Sequence, residues 1–225
     1  MEAVRDLTRR RFLGLATAAT AIPLLGPLRS VGAHAAHRDL RFRALRQGTP
    51  IGEHRVTFRP DGNRLTVETR VEIAVTVLFF TAFRFRHDAE EIWQSDRLVS
   101  VRSTTDDNGT LLRVSGHAVG DGFRIVGDDG PFLASAHLLT STSLWDSRIV
   151  RETRLIDVQR GGEIGLVTTQ LGDEQVDTPQ GLVRASRHHM ITPYYAGSVF
   201  HDREGRWVKG LFELKGERIE YALAT

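Results

Sequence analysis

The 225-residue sequence contains no cysteine. That excludes disulfides, thiolate metal sites and cysteine nucleophiles at once. Lysine is nearly absent as well: Lys209 and Lys215 stand against 28 arginines. This imbalance is read as the codon usage of GC-rich DNA, not as phosphate binding. No apolar run after the first 35 residues approaches the roughly 20 residues of a membrane-spanning helix. No segment combines the length and the 3.6-residue periodicity of a good helix. No G-x-G-x-x-G opens a helix, and no G-x-x-x-x-G-K-[ST] occurs, so the common nucleotide-binding loops are excluded. G-x-S-x-G, S-x-x-K and H-E-x-x-H are missing too. No cofactor and no metal are expected.

What remains is a globular composition, 40% hydrophobic and 26% charged. The length fits one domain, or at most two small ones, and can bury a core without staples. The formal charge of +2 is misleading. Residues 1–35 hold five arginines and two acids; the rest holds 25 basic and 26 acidic residues, a net of −1. A nucleic-acid binder would keep a basic stripe in its folded part, and this balance supports none.

The first 35 residues read as an address. Thr8-Arg9-Arg10-Arg11-Phe12-Leu13 matches the twin-arginine export pattern, with Arg9 and Arg10 as the signal pair. A moderately apolar run follows, and Ala33-His34-Ala35 forms a small-x-small cleavage site. The expectation is a signal peptide over 1–35, cleaved after Ala35, and a single exported β domain over 36–225. The translocase of that pathway would be a partner, and the location would be the periplasm.

Beyond residue 38, alternation dominates. Leu40, Phe42 and Ala44 alternate with arginines, and Val56 and Phe58 follow. From Leu65 to Phe85 one parity is apolar throughout most of the run, and in the middle Ala74, Leu78, Phe80 and Ala82 make the other parity apolar too, so that section is expected to be buried on both faces. A single strand of that length would reach roughly 70 Å, so a bend or turn is expected near Leu78–Thr81. Shorter strands recur at Glu91–Trp93, Arg97–Thr104, Leu111–His117 and Phe123–Val126. Further strands are expected at Glu163–Gln170, Leu182–Met190, Ala196–His201, Arg206–Leu214 and Arg218–Leu223. The Asx-Gly turns between several of these runs are hairpin chemistry. Phe132–Trp145 reads weakly as a helix and equally as a loop, placed as a plug or lid. The fold class expected is mainly β. It is a single large curled antiparallel sheet (a meander, open half-barrel or barrel-like form) that limits its edges by curling.

Chemistry-bearing residues are few. His188 and His189 are neighbours on an expected strand and point to opposite faces, so they cannot share a ligand. His201 and Asp202 read either as an acid–base pair or as the start of an Asx turn completed by Gly205, with Trp207 packing behind. The acidic runs Thr105–Thr110 and Gly127–Gly130 read as hairpin turns rather than calcium loops, since the first lacks the bidentate glutamate such a loop needs. The aromatics are more suggestive. Phe79, Phe80, Phe83, Trp145, Tyr194, Tyr195 and Trp207 are the candidates for an apolar ligand pocket.

Short motifs spread over nearly all of the exported part carry a family resemblance. They are Gly48-x-x-Ile51-Gly52, Glu91-x-Trp93, Thr105-Asp106-Asp107-Asn108-Gly109, Ser143-x-Trp145, Asp157-x-Gln159-x-Gly161, Asp202-x-x-Gly205-Arg206-Trp207-Val208-Lys209 and Tyr221-x-Leu223. In their order and spacing the sequence resembles a bacterial exported family, domain of unknown function 6134, which carries no assigned activity. His201 stands where that family would place an aromatic. More distantly, the pattern is similar to the open half-barrels of periplasmic lipoprotein carriers. That likeness implies an apolar, lipid-like small molecule as ligand. An envelope interaction protein, or an enzyme using His201 and Asp202, are the alternatives.

Overall fold

The structure, a computed structural model, describes residues 38–77, 80–214 and 216–224, and at residues 76, 77 and 80–82 the backbone alone. The expected export segment, with Arg9, Arg10 and the cleavage site after Ala35, lies outside the described residues.

Strands β1 (Leu40–Arg46), β2 (Thr49–Asp61), β3 (Arg64–Val77), β4 (Phe80–Gln94), β5 (Arg97–Asp107), β6 (Thr110–Val119), β7 (Gly122–Gly127) and β8 (Gly130–Ser135) follow one another as a meander. The chain then leaves the sheet. It forms two 3-10 turns, Ser143–Trp145 and Ser147–Arg151, and a small hairpin of β9 (Arg154–Ile156) and β10 (Glu163–Gly165). A second meander completes it: β11 (Val167–Thr178), β12 (Gly181–Ile191), β13 (Ala196–Asp202), β14 (Trp207–Leu214) and β15 (Glu217–Leu223). β15 pairs with β1, so among the described residues 13 strands make one antiparallel sheet, from β11 at one edge to β8 at the other. The sheet is curled but not closed into a barrel.

Side-chain parity explains the curl. On β1 to β4 the buried residues fall on alternate positions: Leu40, Phe42, Ala44; His54, Val56, Phe58; Leu65, Val67, Val71, Ile73; His87, Ala89, Glu91, Trp93. These line the concave face, as period-two alternation requires. The convex face takes the arginines. Glu53 bridges Arg41 and Arg55, Asp88 bridges Arg70 and Arg86, and Arg59 meets Glu68 at 3.0 Å. Such exposed pairs add little stability each, but opposite charges across strands favour this register over its neighbours. The edges are protected. Edge strand β8 carries Pro131, and β11 has a register shift between Gln170 and Gly172, followed by Asp173 and Glu174.

Several expected elements shift. The Leu65–Phe85 run is two antiparallel strands, β3 and β4, reversing where the bend was expected; residues 78 and 79 there are outside the described ones. Glu91–Trp93 is the end of β4, not a separate strand. Phe132–Trp145 is no helix. Its first part belongs to β8, and its last part is a single buried 3-10 turn. Glu163–Gln170 divides into β10 and β11 at Leu166.

One glycine shows how tightly the strands are set. Gly52 on β2 faces Ala44 of β1 and Ile73 of β3, beside a register shift at Ala44/Leu45. A Cβ there would overlap the Glu72 carbonyl oxygen and stand 2.8 Å from the Ile73 Cα. Gly52→Ala is expected to cost roughly 3 kcal/mol by overpacking and to lower Tm by about 10 °C. Gly165→Ala, where a Cβ meets open space, should leave Tm unchanged. Thermal denaturation of the two variants checks this, and equal melting of Gly52→Ala and wild type would refute the close approach.

Candidate functional site

The segment between β8 and β11 fills one end of the curled sheet as a plug. Ala136, Leu138 to Asp146, Ile149 and Leu155 to Val158 are buried. Its anchor is Glu91, a fully buried carboxyl on the concave face of β4. Trp93 Nε1 donates to its Oε2 at 2.9 Å, and the hydroxyls of Thr140 and Thr142 donate to its Oε1 at 2.7 Å each. Ser143 Oγ lies 2.8 Å from the Thr140 hydroxyl. Trp145 packs edge-on against Trp93 at 6.3 Å and Phe58 at 5.3 Å. The motifs Glu91-x-Trp93 and Ser143-x-Trp145 therefore meet as one sheet-to-plug joint. Burial raises the Glu91 carboxyl above the usual glutamate value, and its three donors act against that rise.

His201 is a second anchor. Its Nε2 donates to the Leu144 carbonyl at 2.9 Å, and burial pushes its pKa down to about 4, so the ring is neutral. Asp202 follows it on the strand and so points to the other face. Its Oδ1 accepts from the backbone N–H of Glu204 at 3.1 Å and Arg206 at 2.8 Å. Gly205, at φ +79°, completes the turn. His201 and Asp202 do not form an acid–base pair: one ties down the plug and the other shapes a turn. His188 shares the His201 face of the sheet.

Above the plug the concave face encloses a cavity of about 500 Å³. Its walls are Ile51, Val71, Ile73, Val75, Phe83, Phe85, Phe212 and Ile219, with Tyr195 and Tyr221. Depth follows the strands. Val75 and Phe83 are half-buried near the mouth, Ile73 lies deeper, and Val71 and His87 are buried at the floor. Leu144, Ser141 and Thr142 of the plug complete that floor. The charged wall residues lie towards the mouth, where Arg46 binds Glu217 at 2.6 Å and the Arg160 guanidinium stacks 5.2 Å from the Tyr194 ring.

Two histidines face the floor. His54 of β2, Val71 of β3 and His87 of β4 are partners in one cross-strand row, which continues to Thr105 of β5. His54 sits among Trp207, Tyr221 and Phe42, with ring centroids at 5.1, 5.2 and 6.2 Å. Neither of its nitrogens has a hydrogen-bond partner among the described residues. His87 Nδ1 lies 2.8 Å from Thr105 Oγ1, and its Nε2 is likewise buried and unpartnered. Burial drives the two pKa values down to about 3 and about 4.

Of the residues expected to form a pocket, Phe83, Tyr194 and Tyr195 lie on this cavity. Trp145 and Trp207 lie in the core beside it. Trp207 is stacked 4.1 Å from Phe42 with its Nε1 bonded to the Lys209 carbonyl; the plug residue on the wall is Leu144. Phe79 and the Phe80 side chain are outside the described residues. Sequence reasoning missed His54, His87 and Glu91. A signal was present: each is a polar residue on the apolar parity of its strand, His54 with Val56 and Phe58, His87 and Glu91 with Phe83, Phe85 and Trp93. Among the described residues no group of three or more histidines or acids is placed to hold a metal, and no helix is long and apolar enough to cross a membrane.

An open antiparallel sheet, curled over a plug and a cavity, defines a barrel-like β protein. The chain belongs to the family described as domain of unknown function DUF6134, matched over residues 42–224. No curated protein matches it. In fold it is similar to a crystal structure described as a beta-barrel-like protein of domain of unknown function DUF1849 from Brucella abortus. That match has a TM-score of 0.60 at 7% identity and covers 83% of this chain and 95% of the other. The likeness is one of fold alone.

Two outcomes follow from the joint. Glu91→Ala removes the shared acceptor of three buried donors and is expected to cost about 3 kcal/mol, read as a lowered Tm; an unchanged Tm would overturn the anchoring role. The depressed pKa values of His54, His87 and His201 mean that the unfolded chain binds more protons than the folded one below about pH 6.5. Their stabilising effect is complete above that pH and is lost as pH falls towards 4 and 3. Calorimetry should show Tm falling from pH 7 to pH 4, and a flat profile would contradict it.

Proposed function

We propose that this protein is an exported carrier that holds an apolar, lipid-like small molecule inside its curled sheet. The observation that supports it is the cavity: about 500 Å³, within the range of small-ligand sites, apolar in its walls and with a few convergent polar groups. A core that served packing alone would leave few voids larger than a water molecule. The plug is the base of the container, and the charged groups near the mouth keep the opening wetted. The twin-arginine pattern at residues 8–13 supports export to the periplasm, with the translocase as the partner for that step.

A specific observation favours one other use, contact with an envelope protein. Phe132 and Leu133 on edge strand β8 are exposed, as are Val167 and Leu171 on the opposite edge strand β11. Exposed apolar side chains on the two edge strands suit contact with a partner surface.

Native mass spectrometry of protein purified from its own envelope is expected to reveal a co-purifying apolar mass. Ile73→Trp, which projects an indole into the cavity, should abolish that mass and reduce uptake of the neutral dye N-phenyl-1-naphthylamine at least tenfold while Tm stays near wild type. Wild-type protein that carries no mass and takes up no dye would sink the carrier role.

A further inference from the structure

The floor of the cavity is chemically different from its walls, and the difference bears on which molecule would enter. His54 and His87 occupy the two ends of the row His54–Val71–His87. Two strand spacings separate their backbones, about 10 Å, with the short Val71 side chain between them. Both side chains line the cavity, and both residues are more than nine-tenths buried. Three of their four ring nitrogens have no partner among the described residues: Nδ1 and Nε2 of His54 and Nε2 of His87. A buried polar atom without a partner is costly, and an aliphatic chain end cannot satisfy it.

On the wall, the Tyr195 hydroxyl is a further buried polar atom without a partner among the described residues; on the floor, the other polar groups each make a hydrogen bond. The Thr142 hydroxyl donates to Glu91, the Ser141 hydroxyl accepts from the Val158 N–H at 3.2 Å, and His87 Nδ1 is bonded to Thr105. Among the described residues no lysine or arginine lines the floor; the arginines on the wall, Arg46 and Arg160, are at the mouth end. A carboxylate or phosphate seated between the histidines would be buried with no counter-charge, and an ammonium there would meet no carboxylate on the floor among the described residues, because the two that line the cavity stand away from it: Asp107 opposite Phe85 and Glu217 paired with Arg46. A neutral imidazole offers one donor and one acceptor, which matches a group that carries an uncharged oxygen.

We infer that the cavity selects a molecule with an apolar body whose inward end bears an uncharged hydroxyl or carbonyl oxygen, held between His54 and His87. This rests on the carrier role and adds the orientation and chemical class of the ligand. An alcohol uses both the donor and the acceptor capacity of the pair; a ketone or ester uses the donor capacity alone. Any charged group on the same molecule stays at the mouth, near Arg46, Glu217 and Arg160.

The test is displacement of N-phenyl-1-naphthylamine by octane, 1-octanol, 2-octanone and octanoate, on the folded chain and on His54→Leu and His87→Leu. Octanol and octanone are expected to bind at least tenfold more tightly than octane to wild type. Each substitution should remove most of that advantage and leave octane unchanged or slightly better. In wild type, the ring-nitrogen NMR shifts of His54 and His87 should move on adding octanol and stay still on adding octane, a readout that stands even if a substitution prevents folding. Equal affinity for octane and octanol with unmoved shifts would overturn the inference and leave the carrier role intact. Tightest binding of octanoate would overturn it as well, by placing a charge at the floor. Failure of all four compounds to displace the dye, or of wild type to take up the dye, would instead count against the carrier role itself.

Discussion

The buried carboxyl of Glu91 is the point at which sheet and plug become one object. A carboxyl removed from water is costly unless donors surround it, and here Trp93, Thr140 and Thr142 supply them. Two of the three come from the plug, so the plug can leave only by stranding the carboxyl. Trp145 then packs on Trp93, and Leu144, one residue before it, is placed on the cavity floor and offers its carbonyl to His201. Floor, wall and core thus meet at this polar joint, with His201 as a second tie to the plug.

The cavity follows from that joint. Among the described residues the 13-stranded sheet curls because the inner positions of β1 to β4 are mostly apolar, with Thr69, His54, His87 and Glu91 as the polar exceptions. The plug occupies only one end of the resulting trough, while the side chains towards the other end, Val75, Phe83 and Leu214, are only half-buried. Space between the two remains as the cavity. The same geometry explains the arginines: on the convex face they form cross-strand pairs with glutamates and aspartates, which gives them a structural use that needs no phosphate partner.

Legibility of the fold in the sequence varied by element, for physical reasons. Strands with clean alternation, such as Leu40–Ala44 and Leu65–Val75, declared themselves because parity is a local property. So did the turns at Asn108–Gly109 and Asp202–Gly205, where positive φ demands particular residues. Strand β8 was not legible, because a six-residue edge strand containing Pro131 and ending in the plug has no period of its own. The plug itself mixes Ser, Thr and Leu without periodicity, since its backbone is satisfied by side chains and short turns. The site was less legible than the fold. Phe83, Tyr194 and Tyr195 drew attention as aromatics, but only register places His54 and His87 in one row, and register between β2, β3 and β4 is a product of the whole sheet. Trp145 and Trp207 lie beside the cavity and not on its wall, a difference the sequence does not carry because a large aromatic near a strand end reads alike whether it meets a ligand or another ring.

The pairing of β1 with β15 carries a consequence for how the molecule comes into being. Each half of the sheet is a run of hairpins that can form as the chain emerges, but the seam joining them is made of the first and last strands. Phe42 finds Leu223 only when nearly the whole chain is available. Joining strands so distant in sequence carries a large loop-closure cost, and folds dominated by such pairings assemble slowly. Until the seam closes, β1 and β15 each present an open edge, the condition under which partly folded β proteins associate wrongly. Biogenesis is therefore its most exposed moment, and a chaperone that masks the first strand until the last arrives would shorten it.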